Sequence, residues 1–152
     1  MKHLELIKEL TSAHGVPGFE GEVRKLIKKN LEGQAQFSQD NLGSLICMKK
    51  GTQDSPKIML PGHMDEVGFM VNSITKNGYI KFIPLGGWWD QVMLAQKVII
   101  KTSKGDIQGI IGSTPPHLMS AKEREKIVEK KGMFIDVGAK DREEAQETMG
   151  IQ

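Results

Sequence analysis

Leu4, Ile7, Leu10 and Ala13 recur at the interval of one helix face. They predict a helix over residues 4–13, which ends at His14-Gly15-Val16-Pro17-Gly18, where two glycines and a proline break the period. Phe19, Val23, Leu26, Ile27 and Leu31 restore that spacing, predicting a second helix over 19–31 with Gly33 just past its end. Both helices carry one apolar stripe, so each is expected to cover a sheet. Candidate strands follow at Ala35 to Ser38, Ser44 to Lys49 and Lys57 to Leu60.

The pattern then changes. Val67 to Ile74 and Tyr79 to Pro84 flank Lys76-Asn77-Gly78, a hairpin signal because Asn-Gly accepts positive φ at both turn positions. Val98 to Thr102 and Ile107 to Ile111 flank a second glycine-containing turn, Ser103-Lys104-Gly105-Asp106. Short strands joined this way predict a small β-barrel or sandwich. Ser120-Ala121-Lys122-Glu123 and Asp141-Arg142-Glu143-Glu144 each set a capping oxygen three residues ahead of a Glu, the start signal of a helix. Met133 to Val137 reads as a strand between them.

Composition narrows the function classes. Twenty-one Lys+Arg against nineteen Asp+Glu leave a net charge of +2 over 152 residues, and residues 120–147 carry seven basic and eight acidic side chains. No basic face is implied, which argues against a nucleic-acid partner. A single cysteine, Cys47, cannot form an internal disulfide or a Cys-rich zinc site and suits a reducing compartment. Charges interrupt the apolar residues of the N-terminus, and no stretch approaches eighteen apolar residues. A cytoplasmic protein with no membrane partner is therefore expected.

The chemistry-bearing segment is Leu60-Pro61-Gly62-His63-Met64-Asp65-Glu66-Val67-Gly68. In extended chain His63 and Asp65 point to one side, presenting an imidazole and a carboxylate together as a metal ligand and its supporting group. A bare His-x-Asp is common, and a catalytic zinc needs three protein ligands plus water. His3 and His14 sit on or beside the first helix, facing solvent in the simplest reading. His117 follows a rigid Pro115-Pro116 turn, Cys47 reads as a small buried apolar residue, and Trp88-Trp89, which could stack a sugar or peptide, read more simply as the seal of a barrel end. No phosphate loop or Gly-x-Ser-x-Gly nucleophile occurs.

Gly62-His63-Met64-Asp65-Glu66-Val67-Gly68-Phe69-Met70-Val71 resembles the signature of the M42 metallopeptidases, cytosolic aminopeptidases of the glutamyl and deblocking type. Further blocks match in order: His14 to Glu20 with Val23-Arg24, Asp40-Asn41-Leu42-Gly43, Pro84 to Trp88, Gly109 to Gly112 with Pro115 to Met119, and Phe134 to Ala139. Asn41 and Ser44 depart modestly from the family pattern.

The resemblance implies an α/β fold: residues 1–70 as the N-terminal part of a zinc-peptidase domain, followed over 71–152 by an incomplete, β-rich, PDZ-like or barrel insertion that mediates dimers and dodecamers. It makes His63 a ligand of one of two divalent metals, zinc or cobalt, and Asp65 the catalytic residue that orients the site, with peptides as substrates. The family's bridging Asp, its Glu-Glu pair, a further Asp and a late His have no counterpart here. The chain is therefore expected to be truncated, inactive alone, weak in metal binding and homo-oligomeric. Glu66 is not the missing base. The alternative is a non-catalytic, β-rich oligomerisation protein derived from such an enzyme. Glycoside hydrolysis needs a carboxylate pair, and none stands out.

Overall fold

The computed structural model describes residues 2–151. The chain divides into two compact units, Met1–Val67 and Gly68–Gln152, and its architecture is mixed α/β.

In the first unit, helix α1 spans Lys2–Ser12 and helix α2 spans Gly21–Asn30. α2 starts two residues later than its apolar spacing suggests, because Phe19 N–H closes a tight turn on Val16 O at 2.8 Å and Glu20 becomes the residue before the first turn. Val23 and Ala13 are buried, whereas Leu4, Ile7 and Phe19 are exposed. Strands β1 (Gln36–Gln39) and β2 (Leu45–Met48) form an antiparallel pair, Phe37 opposite Cys47. This two-stranded ribbon is the only sheet of the unit among the described residues. The sheet expected beneath both helices is not found there.

Lys57 to Leu60 is not a strand. It belongs to neither sheet, and Ile58, Met59 and Leu60 are 81%, 84% and 91% exposed. Strand propensity reflects packing against neighbours, and among the described residues this segment has no strand beside it. Cys47 is half-buried, not buried.

The second unit is better packed. Its strands are β3 (Gly68–Ile74), β4 (Ile80–Leu85), β5 (Lys97–Thr102), β6 (Gly105–Gly112) and β7 (Phe134–Asp136). They form one antiparallel sheet in the order β3-β4-β7-β6-β5. Among the described residues the sheet is open, with β3 and β5 as its edges, and it closes into neither a barrel nor a sandwich. Alternation puts Ile74, Ile80, Ile100, Ile111 and Ile135 on one face, where Met93, Met133, Ala145 and Ile151 complete a buried core. Ile83, Ile99 and Ile110 are exposed.

The first hairpin turns differently from the Asn-Gly expectation. Among the turn residues only Gly78 has positive φ, +79°. Thr75 N–H donates to Tyr79 O and Gly78 N–H to Thr75 O, so the loop runs over five residues with its left-handed step at the last glycine. A Cβ at Gly78 would lie 2.6 Å from Ala139 O, which excludes any larger residue on steric grounds as well.

Both capping signals are used, but neither starts a long helix. Ser120 Oγ accepts from Glu123 N–H while Glu123 Oε2 accepts from Ser120 N–H, a complete capping box. The helix it opens, α3, is a single turn, Ala121–Arg124, because Lys122 to Lys126 offer no apolar stripe to pack. Asp141 Oδ1 caps Glu144 N–H at 2.8 Å, and Glu144 Oε2 reaches back to Lys140 N–H. This cap opens a π-helical turn, Glu144–Thr148, that buries Ala145. Trp88 stacks on Phe69 at 4.8 Å and donates from Nε1 to Gly68 O, whereas Trp89 is 76% exposed, so only one tryptophan seals anything.

One ion pair ties distant loops of this unit together. Asp90 accepts from Lys130 N–H at 3.0 Å and pairs with Lys130 Nζ, which also donates to Trp88 O. The hydrogen bond from Lys130 holds the Asp90 carboxyl below its ordinary value. A depressed carboxylate stabilises the fold fully above its unfolded pKa, about 3.9 for Asp, and that contribution is lost as pH falls through the folded value. Asp90→Asn is therefore expected to weaken the fold at pH 7 and to flatten the loss of stability on acidification below about pH 4. Urea unfolding from pH 7 to pH 3 measures this, and parallel curves for the two proteins would refute it.

Candidate functional site

Three loop segments of the first unit build the surroundings of His63. The turn after α1 is held by Glu20, whose Oε1 accepts from Gly18 N–H at 2.7 Å and whose Oε2 pairs with Arg24 Nη1 at 3.2 Å. The Gly18 bond is the main reason that the Glu20 carboxyl sits below the ordinary glutamate range. Arg24 Nη1 also donates to Gly43 O at 3.1 Å, tying α2 to the β1–β2 turn. In that turn Asp40 Oδ1 accepts from Leu42 N–H and Ser44 N–H at 3.0 and 2.8 Å, and the hydrogen bonding from Ser44 lowers the Asp40 pKa.

The third segment carries His63 and Asp65. The His63 Nδ1 lies 3.2 Å from Asp65 Oδ1 and 3.0 Å from Asp65 O. A carbonyl oxygen can only accept, so Nδ1 carries a proton here, and in the neutral ring Nε2 holds the lone pair. That is the tautomer of an imidazole that ligates through Nε2 while its other nitrogen is held by a carboxylate. The His63 side chain is 86% exposed. A cavity of about 300 Å³ lies beside it, lined by Glu20, Leu42, Gly43, Gly62, His63 and Asp65.

The donor set can be compared with what a metal centre requires. Among the described residues no three His, Cys, Asp or Glu side chains come together in a way that could hold an ion. His63 supplies one imidazole with an oriented partner, which falls short of the three protein ligands of a catalytic zinc and further short of two metals. The residues present do not fit a dinuclear centre by themselves. His3 and His117 are exposed and His14 is half-buried, and among the described residues none of them is part of a group of three potential ligands.

Sequence reasoning missed the contacts of Glu66. Its backbone N–H donates to Gly15 O at 2.8 Å, and its Oε1 accepts from Gly15 N–H at 3.3 Å. The partners are 51 positions apart, so no periodicity or local motif could reveal them.

The family comparison is specific: the model for M42 glutamyl aminopeptidase matches residues 43–152, and a model described as AMPT matches residues 2–26. The chain belongs to the M42 glutamyl aminopeptidase family. It is 39% identical over 151 residues to the lysyl aminopeptidase of Pyrococcus furiosus, covering 97% of this chain and 43% of that protein. Among solved structures it superposes on a TET aminopeptidase from the marine sediment archaeon Thaumarchaeota archaeon SCGC AB-539-E09. The TM-score is 0.95 at 49% identity, covering 100% of this chain and 43% of the other. It also matches the PhTET1-12s dodecamer, with a TM-score of 0.81 at 33% identity over 97% of this chain and 43% of that one. The chain thus spans 43% of the length of each of these relatives. Among the described residues no helix is long and apolar enough to cross a membrane.

Proposed function

We propose that the chain is the His63-bearing part of an M42-type aminopeptidase that removes N-terminal residues from peptides in the cytoplasm. Residues 1–70 are its share of the metallopeptidase domain and residues 71–152 its PDZ-like insertion, which serves homo-oligomerisation. His63 contributes one imidazole to one of two divalent metals, zinc or cobalt, and Asp65 orients that ring. The observation that carries the reading is the engaged Nδ1, which leaves the Nε2 lone pair for a metal. Bound there, a divalent ion would supply Lewis-acid polarisation and an activated water. The remaining ligands are assigned to sequence outside this chain, so no catalytic step is derived for it alone.

One imidazole and a nearby carboxylate cannot reach the affinity of a closed site. Titration calorimetry with zinc or cobalt is expected to give weak, substoichiometric binding that disappears in His63→Ala. Tight binding of two metals per monomer would overturn the reading. A second reading, a non-catalytic interaction protein, is favoured by a contrast in packing among the described residues: a nine-residue core in the second unit against two buried apolar residues, Ala13 and Val23, in the first. Under that reading His63→Ala leaves metal binding unchanged and light scattering still reports a defined oligomer.

A further inference from the structure

The His63 ring is too exposed to be held by one carboxylate. An exposed ion pair or hydrogen bond contributes between nothing and about 1 kcal/mol, so the Asp65 carboxylate alone orients the ring only weakly. The stronger constraint lies in the backbone. Asp65 O, which accepts from Nδ1, and Glu66 N–H, which donates to Gly15 O, belong to the same peptide group. One side of that planar unit holds the imidazole and the other is anchored to the turn after α1. The Glu66 carboxylate adds a second bond by accepting from Gly15 N–H, so the two residues clasp each other reciprocally.

Gly15 is buried, and a Cβ there would stand 2.7 Å from Val23 Cγ2 on α2. The absence of a side chain lets the turn approach α2 closely enough to serve as an anchor. The clasp is therefore seated on the buried Val23, while His63 itself stays open to solvent.

We infer that Glu66 is a positioning residue: with Gly15 it fixes the Asp65–Glu66 peptide, and through that carbonyl it sets the Nδ1–H tautomer and the orientation of His63. This rests on the proposed role of His63 as a ligand, but its first test needs no metal. Long-range 15N correlation spectra of the 152-residue chain at pH 9, where imidazole side chains are neutral, report which nitrogen carries the proton. Wild type is expected to show a pyrrole-type Nδ1 at His63. Glu66→Ala should shift the ring toward the Nε2–H form, while Glu66→Gln, whose amide oxygen still accepts from Gly15 N–H, should keep the wild-type pattern. An unshifted ring in Glu66→Ala, or an equal shift in Glu66→Gln, overturns the inference.

Amide exchange in the wild type gives a reading that does not depend on the variants folding. Gly15 and Glu66 N–H should both be protected, and exchange of both at open-loop rates refutes the clasp. Zinc titration then separates the two ideas. A drop of about 10–100-fold in affinity for Glu66→Ala, rescued in Glu66→Gln, matches the usual effect of removing a ligand's support. A tautomer shift with no binding at His63 in any variant leaves the clasp standing and removes the metal role.

Discussion

Supplied with zinc, cobalt or manganese, the purified chain is expected to release no measurable product from aminoacyl nitroanilides. Activating water for attack on a peptide bond takes a metal fixed by several protein ligands with a position left open, and often a second metal to hold the other oxygen or the amine. Here one imidazole is offered, and no three potential ligands converge among the described residues. Co-expression with the portion of an M42 relative that lies outside the 43% matched by this chain should restore turnover. In the complemented protein His63→Ala should return activity to background, and Asp65→Asn should cost about 10–100-fold, the usual effect of removing the group that orients a metal-bound histidine. Turnover by the chain alone that vanishes in His63→Ala would contradict this prediction.

The second large effect concerns solubility and association. Ile58, Met59 and Leu60 form an exposed run outside both sheets, and Leu42 is 95% exposed in the same unit. Fully burying such a side chain is worth about 1.5–3 kcal/mol, and a segment outside any sheet also offers backbone donors and acceptors. Sedimentation velocity is expected to show mass rising with concentration. Replacing Ile58, Met59 and Leu60 together by Thr should shift the chain toward monomer and also abolish complementation by the remaining part of a relative. A concentration-independent wild-type monomer with two-state unfolding would rule this out.

The legibility of each element in the sequence depends on whether its partner is local. The strands of the second unit are legible because runs of β-branched residues around Ile74, Ile80, Ile100 and Ile111 flank glycine-containing turns and find partners within the same unit. Their closure is not: short strands with glycine turns suit a barrel as well as an open sheet, and only the pairing of β7 between β4 and β6 decides it. Lys57 to Leu60 has strand composition, yet composition does not supply a neighbour. The caps at Ser120 and Asp141 are both used, but a cap fixes where a helix begins and its apolar stripe fixes how long it runs. Near His63, alternation puts Asp65 on the same side of an extended chain, but the segment is not a strand and the bond to the backbone oxygen of Asp65 is not legible in the spacing. The clasp between Gly15 and Glu66 is tertiary, and nothing in either local sequence announces it.

The place of β7 in the sheet also dictates an order of events. β3 pairs with β4, and β5 with β6, through connections a few residues long, whereas the three-residue β7 is last in sequence and sits between the two hairpins. On a ribosome, both ribbons emerge before the strand that joins them, and each exposes an unsatisfied inner edge until Phe134–Asp136 arrives. Non-local pairing of this kind is slow, because the entropy of closing the intervening loop is spent before the contact stabilises anything. Pulsed hydrogen exchange during refolding should find the amides of β5 and β6 that face each other protected first and Ile135 last. Simultaneous protection would mean that the sheet condenses as one body. The wait for β7 is the interval in which a nascent chain of this design is most exposed to pairing with a neighbour.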